Sequence, residues 1–170
     1  MAYLHHYNMC HRDIKPENYM LSRQLSVCYP PAVKLIDFGL ARATDENNGV
    51  MYSQVGSWRF TAPEVLQAFP YRNSCDIWGL GCTLYTLIAL KFPYSGQTAY
   101  AMLKNILQGA HPRWDHPNVV AVGSSVAAIT QSLMQVTPGK RPRCADVLAC
   151  NPWLHQYAVA STQRRCFCMP

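Results

Sequence analysis

Between Asp76 and Leu90 the chain carries Ile77, Trp78, Leu80, Cys82, Leu84, Tyr85, Leu87 and Ile88. At helical periodicity these apolar side chains occupy nearly every face, so the segment predicts a central buried helix. The remaining chain has to be wrapped around it. Gly79, Gly81 and three hydroxyls interrupt the run, and no apolar stretch reaches the roughly 18 residues that span a membrane. A chain of 170 residues suffices to enclose one such helix in a single domain. Hydrophobic residues make up 49% and charged residues 14%, which excludes a disordered chain.

Around this helix the pattern is mainly helical. Met1 to Asn8 reads as a helix end. Tyr19 to Leu21 and Val33 to Ile36 read as two short paired strands, joined by the polar, proline-ended stretch Ser22 to Pro31. Ala41 to Val55, rich in polar and small residues, reads as a mobile loop. Pro63 opens a short helix over Glu64 to Ala68. Pro70 to Ser74 reads as a turn. Thr98 to Gln108 is amphipathic, and His111 to Asn118 reads as a loop. Ser125 to Gln135 reads as a helix capped by Ser124 or Ser125. A short helix follows over Cys144 to Cys150, and residues from Ala158 onward read as a loose tail.

The chemistry is concentrated near the N-terminus, in His11-Arg12-Asp13-Ile14-Lys15-Pro16-Glu17-Asn18. Pro16 keeps the run out of a helix interior. A further acid follows at Asp37, in Asp37-Phe38-Gly39, at the end of a predicted strand. Two carboxylates near a polar loop suit hydrolysis, metal binding or phosphoryl transfer. Lys15 beside Asp13 argues against glycoside chemistry, because the cation keeps the acid ionised. Asn18 and Asp37 are hard oxygen donors that suit Mg²⁺. Asp13 is then left to orient a hydroxyl and accept its proton, which matches phosphoryl transfer to an alcohol.

With Ala62-Pro63-Glu64, Asp76-Ile77-Trp78-Gly79-Leu80-Gly81 and Arg141, these motifs in this order resemble the C-terminal lobe of a eukaryotic-type protein kinase from about Met1 to Leu154. The resemblance implies a protein kinase-like (α+β) fold: a mainly helical lobe with a short β-hairpin between the catalytic loop and Asp-Phe-Gly. It implies Asp13 as the catalytic base, Lys15 on the transferring phosphate, and Asn18 and Asp37 as Mg²⁺ ligands, with ATP as phosphoryl donor and a protein hydroxyl as acceptor. Lys15 and Ser57 are similar to the serine/threonine type. Glu64 is expected to pair with Arg141. Asp76 is expected to hold the catalytic-loop backbone. His11 and Phe38 are expected to stack, with Gly39 completing the motif. Arg12 is a candidate receiver for a phosphate on the following segment, where Ser53 is the candidate site and Thr44 and Tyr52 are rivals. Residues 76–85 and 91–94 look like NIMA-related kinases, whereas the spacer 22–32 looks like calcium/calmodulin-dependent kinases.

The 170 residues hold no Gly-x-Gly-x-x-Gly and no strand lysine ahead of the catalytic loop. The expectation is therefore a kinase domain over 1–155 that lacks its small N-terminal lobe, and a flexible tail over 156–170. The alternative is a catalytically inactive interaction module. Net charge is +6, from 15 basic and 9 acidic residues, but the cations are scattered. No nucleic-acid partner is expected. Eight cysteines without a Cys-x-x-Cys pair predict reduced thiols and an intracellular, cytoplasmic location.

Overall fold

The computed structural model describes residues 1–21, 32–43 and 49–150. It begins with helix α1 (Ala2–His6), strand β1 (Met9–Cys10), a 3₁₀ turn (Pro16–Asn18) and strands β2 (Tyr19–Leu21), β3 (Val33–Leu35) and β4 (Arg42–Ala43). Helices α2 (Pro63–Leu66), α3 (Ser74–Ala89), α4 (Ala99–Leu107), α5 (Pro117–Ala121), α6 (Ser124–Leu133) and α7 (Cys144–Cys150) follow. The predicted tail, the spacer 22–31 and Thr44 lie outside the described residues.

The apolar segment forms α3, and α3 separates two apolar clusters. On one side Cys75, Trp78, Cys82, Tyr85 and Ala89 pack with Cys10, Met51, Phe60, Met102 and Ile106. On the other, Ile77 packs with Ile129, Leu133 and Cys144. Trp78 has no exposed surface and stacks on Tyr94 at a centroid distance of 5.6 Å. Burial of a side chain this size stabilises by about 3 kcal/mol. The helix begins at Ser74, two residues earlier than its apolar run, and so places Asp76 in its first turn. A carboxylate is favoured there by the helix dipole. At the other end the helix reaches solvent: Leu87 is 58% exposed, and Leu90 closes it in the left-handed conformation at φ 54°.

The strands are short and antiparallel. Tyr19, Met20 and Leu21 face Leu35, Lys34 and Val33. Met9 and Cys10 face Ala43 and Arg42. Ile36 N–H donates to the carbonyl of Asn18 at 2.9 Å, which brings the end of β3 back to the catalytic run.

Three expectations need correction. The segment 41–55 is not loop throughout. Arg42–Ala43 pairs with β1, and Met51 is buried and exchanges backbone hydrogen bonds of 2.8 and 2.9 Å with Tyr71. Backbone pairing and one apolar anchor override its polar composition. The 111–118 loop ends two residues early, because Pro117 supplies the fixed φ that starts α5. Helix α6 has no serine cap. Gly123 takes the N-cap at φ 89°, because α5 ends at Ala121 and the chain must turn within two residues.

Candidate active site

The polar residues of the His11–Asn18 run are held by several parts of the fold. The backbone N–H groups of His11 and Arg12 donate to the two oxygens of Asp76, both at 2.8 Å. Asp76 is buried and also accepts from His5 Nε2 at 3.1 Å. The first turn of α3 thus fixes the loop through one carboxylate. Gly79, one turn on, lets the helix approach closely. A Cβ there would lie 3.0 Å from the side chain of Ile14 and 3.1 Å from its carbonyl oxygen.

The His11 ring is buried. Its Nε2–H donates to the Ile36 carbonyl at 3.1 Å, and Phe38 meets it edge-on at a centroid distance of 5.0 Å. Phe38 itself is 46% exposed. The Arg12 guanidinium donates to the Leu40 carbonyl at 2.6 Å and to the Tyr71 hydroxyl at 3.4 Å. That hydroxyl donates to the Ser53 carbonyl at 2.7 Å. Ser53 is exposed, as is Tyr52.

Asp13 is the hub. Its carboxylate accepts from Lys15 Nζ at 2.6 Å, from the Ser57 N–H at 2.9 Å and from Asn18 Nδ2 at 3.2 Å. Lys15 Nζ also donates to the Ser57 hydroxyl at 2.8 Å. Burial alone would raise the Asp13 pKa. The hydrogen bonds from Lys15 and Ser57 and the Lys15 charge outweigh it and hold the carboxyl below its ordinary value. The segment carrying Ser57 closes over the loop only because residue 56 is glycine. At φ 99° a Cβ there would lie 2.5 Å from the Arg12 carbonyl oxygen.

The depressed Asp13 pKa fixes a sign. The native state binds fewer protons than the unfolded chain between the two pKa values, so Asp13 stabilises the fold above its unfolded pKa. That contribution is lost as pH falls through the lower native pKa. The stability difference between the wild-type chain and Asp13→Asn, measured by urea unfolding at stepped pH, is expected to shrink in acid.

Asn18 spends its amide on the Asp13 carbonyl at 2.7 Å as well as on the carboxylate, which leaves its side-chain oxygen as the available donor atom. Asp37 is exposed, and one of its oxygens accepts from the Gly39 N–H at 3.2 Å. One amide oxygen and one carboxylate at the β3 end form a hard donor set that fits Mg²⁺. Arg12 and Asp37 both adopt left-handed backbone, at φ 68° and 59°. Such conformations cost on the order of 1–3 kcal/mol each and cluster at functional sites.

Glu64 and Arg141 lie behind the site. The guanidinium makes two contacts with the carboxylate, at 2.6 and 2.8 Å, and also donates to the carbonyls of Gln135, Ser74 and Val136. Both residues are buried. Sequence reasoning missed His5 and Tyr71. Neither belongs to a motif, and each reaches the site only through long-range packing.

The sequence matches the protein kinase domain over residues 1–154. The chain belongs to the protein kinase family. It is 33% identical over 150 residues to the serine/threonine-protein kinase Nek5 of Homo sapiens, covering 87% of this chain and 20% of the relative. It is 28% identical over 161 residues to the serine/threonine-protein kinase nekl-2 of Caenorhabditis elegans, covering 94% and 42%. With the calcium/calmodulin-dependent protein kinase type II alpha chain of Drosophila melanogaster it shares 33% over 166 residues, covering 95% and 30%. Both resemblances seen in the kinase sequence therefore have counterparts among its relatives. The kinase chain spans less than half the length of these relatives. Among the described residues no helix is long and apolar enough to cross a membrane.

Proposed function

We propose that this kinase chain is the catalytic half of a serine/threonine protein kinase, which transfers the γ-phosphoryl group of ATP to a protein hydroxyl. The glycine-rich lobe that covers the nucleotide would be supplied outside residues 1–170. The observation that carries the reading is the closed triangle of Asp13, Lys15 and Ser57. It sets an ionised acceptor and a cation side by side, within reach of Asn18. Asp13 would accept the hydroxyl proton, and Lys15 would neutralise charge on the transferring phosphoryl group. Asn18 and Asp37 would hold Mg²⁺, which would supply positive charge against the phosphate oxygens. A module with no chemistry to perform gains nothing from a strained Asp37 and a buried, ionised Asp13.

The metal assignment is tested on the chain itself. Mn²⁺, added as a paramagnetic stand-in for Mg²⁺, is expected to broaden nuclear magnetic resonance signals centred on Asn18 and Asp37, and Asp37→Asn is expected to abolish the effect. Broadening centred on other residues would remove the assignment. For the reaction, labelled phosphate should pass to a serine- or threonine-bearing protein from the polypeptide that carries the glycine-rich lobe, and not from residues 1–170 alone. Absence of transfer from the longer polypeptide would favour the interaction-module reading.

A further inference from the structure

Two thiols meet at the joint between the catalytic loop and the central helix. Cys10 directly precedes His11, and Cys75 directly precedes Asp76. Their Sγ atoms lie 3.5 Å apart, although 65 residues separate them in sequence. Cys10 has no exposed surface. Cys75 borders a cavity of about 20 Å³, lined also by Arg12, Phe60, Tyr71 and Gly79, with room for about one water-sized molecule. We infer that Cys10 and Cys75 form a reversible thiol–disulfide pair that staples the strand entering the catalytic loop to the first turn of the central helix.

The same joint offers a second chemistry, a metal ion held by both sulfurs and Asp76, whose ligand atoms all lie within 4.8 Å of one another. The hydrogen bonds decide between the two. Both Asp76 oxygens are already committed, to the N–H groups of His11 and Arg12 and to the His5 ring. A metal would have to break the contacts that hold the loop. A disulfide leaves them intact and runs parallel to them. It requires the sulfurs to close by about 1.5 Å, to the S–S bond length of about 2.05 Å.

The roles within the pair are unequal. The two thiols share one hydrogen bond, and that bond, with burial, pushes the Cys10 pKa up. Burial and the nearby Asp76 carboxylate raise the Cys75 pKa as well. Access separates the two: Cys75 borders the cavity and Cys10 has no exposed surface, so Cys75 is the nucleophile and Cys10 the resolving thiol. A hydroperoxide is the oxidant. The Cys75 sulfur attacks one peroxide oxygen, the O–O bond breaks, and water or an alcohol leaves as Cys75 becomes a sulfenic acid. The Cys10 sulfur then attacks the Cys75 sulfur, the S–O bond breaks, and a second water leaves with the Cys10 proton. Two electrons pass from the thiols to the peroxide. A dithiol reductant reverses the link by exchange. Because both thiols stay largely protonated, the reaction is slow and responds to sustained oxidant only.

The test needs no variant to establish the link. The native chain is treated with hydrogen peroxide, quenched, unfolded in an alkylating agent and digested without reduction. A peptide pair joined through Cys10 and Cys75 is expected, and dithiothreitol should release it. Cys82 is equally buried and, among the described residues, has no hydrogen-bonded thiol partner. It should remain open to alkylation and serves as the internal control. In the linked chain the His11 and Arg12 amide hydrogens should exchange about tenfold more slowly, since local opening now has to stretch a covalent tie. Cys10→Ser and Cys75→Ser should each abolish the linked pair. The inference is overturned if Cys10 and Cys75 are alkylated as completely as Cys82 at every peroxide concentration. Links scattered over all eight cysteines, or a retained zinc ion that shields both sulfurs, would overturn it too.

Discussion

Arg141→Ala is expected to destabilise the kinase chain by about 3–5 kcal/mol, because it strips the partner from a buried carboxylate. Arg141 satisfies both Glu64 oxygens and the carbonyls of Gln135, Ser74 and Val136, so one truncation orphans groups on three segments. Its guanidinium also lies 5.2 Å from the ring centre of the buried Trp78. Native stabilities of about 5–15 kcal/mol leave little after such a loss. For a chain of this size the unfolding midpoint should fall by about 6–20 °C. Glu64→Ala should cost a similar amount, by leaving the guanidinium uncompensated. The double variant Glu64→Leu with Arg141→Leu should be less destabilised than the sum of the single losses, because no lone charge remains buried. Urea and thermal unfolding followed by circular dichroism check all three. A loss below about 1 kcal/mol for Arg141→Ala would mean that the pair behaves as an exposed ion pair despite its burial.

Asp13→Asn should lower turnover by about 10²–10⁴-fold in the lobe-bearing polypeptide, the range expected when a positioned proton acceptor is lost. The substitution keeps the shape of the side chain, and its one acceptor oxygen can keep the Lys15 and Asn18 contacts, which share one carboxylate oxygen, while the contact from the Ser57 N–H is given up. KM for the protein substrate should then change little, and the loss should fall on kcat. Lys15→Met should also lower kcat, but through charge on the phosphoryl group rather than through the proton. Because Lys15 holds the Asp13 pKa down, its removal should raise the lower pKa of the pH–rate profile. Steady-state phosphate transfer across pH separates the two. An Asp13→Asn variant with wild-type turnover would remove Asp13 from the reaction.

The contrast between His11 and Arg12 shows what reading the motif could and could not supply. Their order in the sequence, with Asp13, pointed to the loop, Pro16 kept it out of a helix, and the kinase resemblance implied that His11 stacks with Phe38. That the Arg12 guanidinium clasps the Leu40 carbonyl depends on the turn that follows β3. The partner assigned to Asp76 was implied by the resemblance to protein kinases. His5 could not be assigned, because a histidine in a five-residue helix carries no periodic signal. Polar composition misled over 41–55 for a related reason. Met51 is a single apolar anchor, invisible to any average taken over the segment.

The sequence by itself determined the family and the central helix, and it singled out Asp13, Lys15, Asn18 and Asp37 as the candidate reacting groups. Those rest on residue type, order and helical period, which are local properties. Only the tertiary structure decided that His5 reaches Asp76, that Tyr71 lies between Arg12 and Ser53, and that two thiols meet where the loop joins the helix. Each of these contacts joins segments 18 to 71 residues apart. They exist because α3 packs on both faces and draws the loop, the segment around Ser57 and Arg141 to one place. Hydrophobic burial sets that arrangement, and the polar contacts of the site are formed within it.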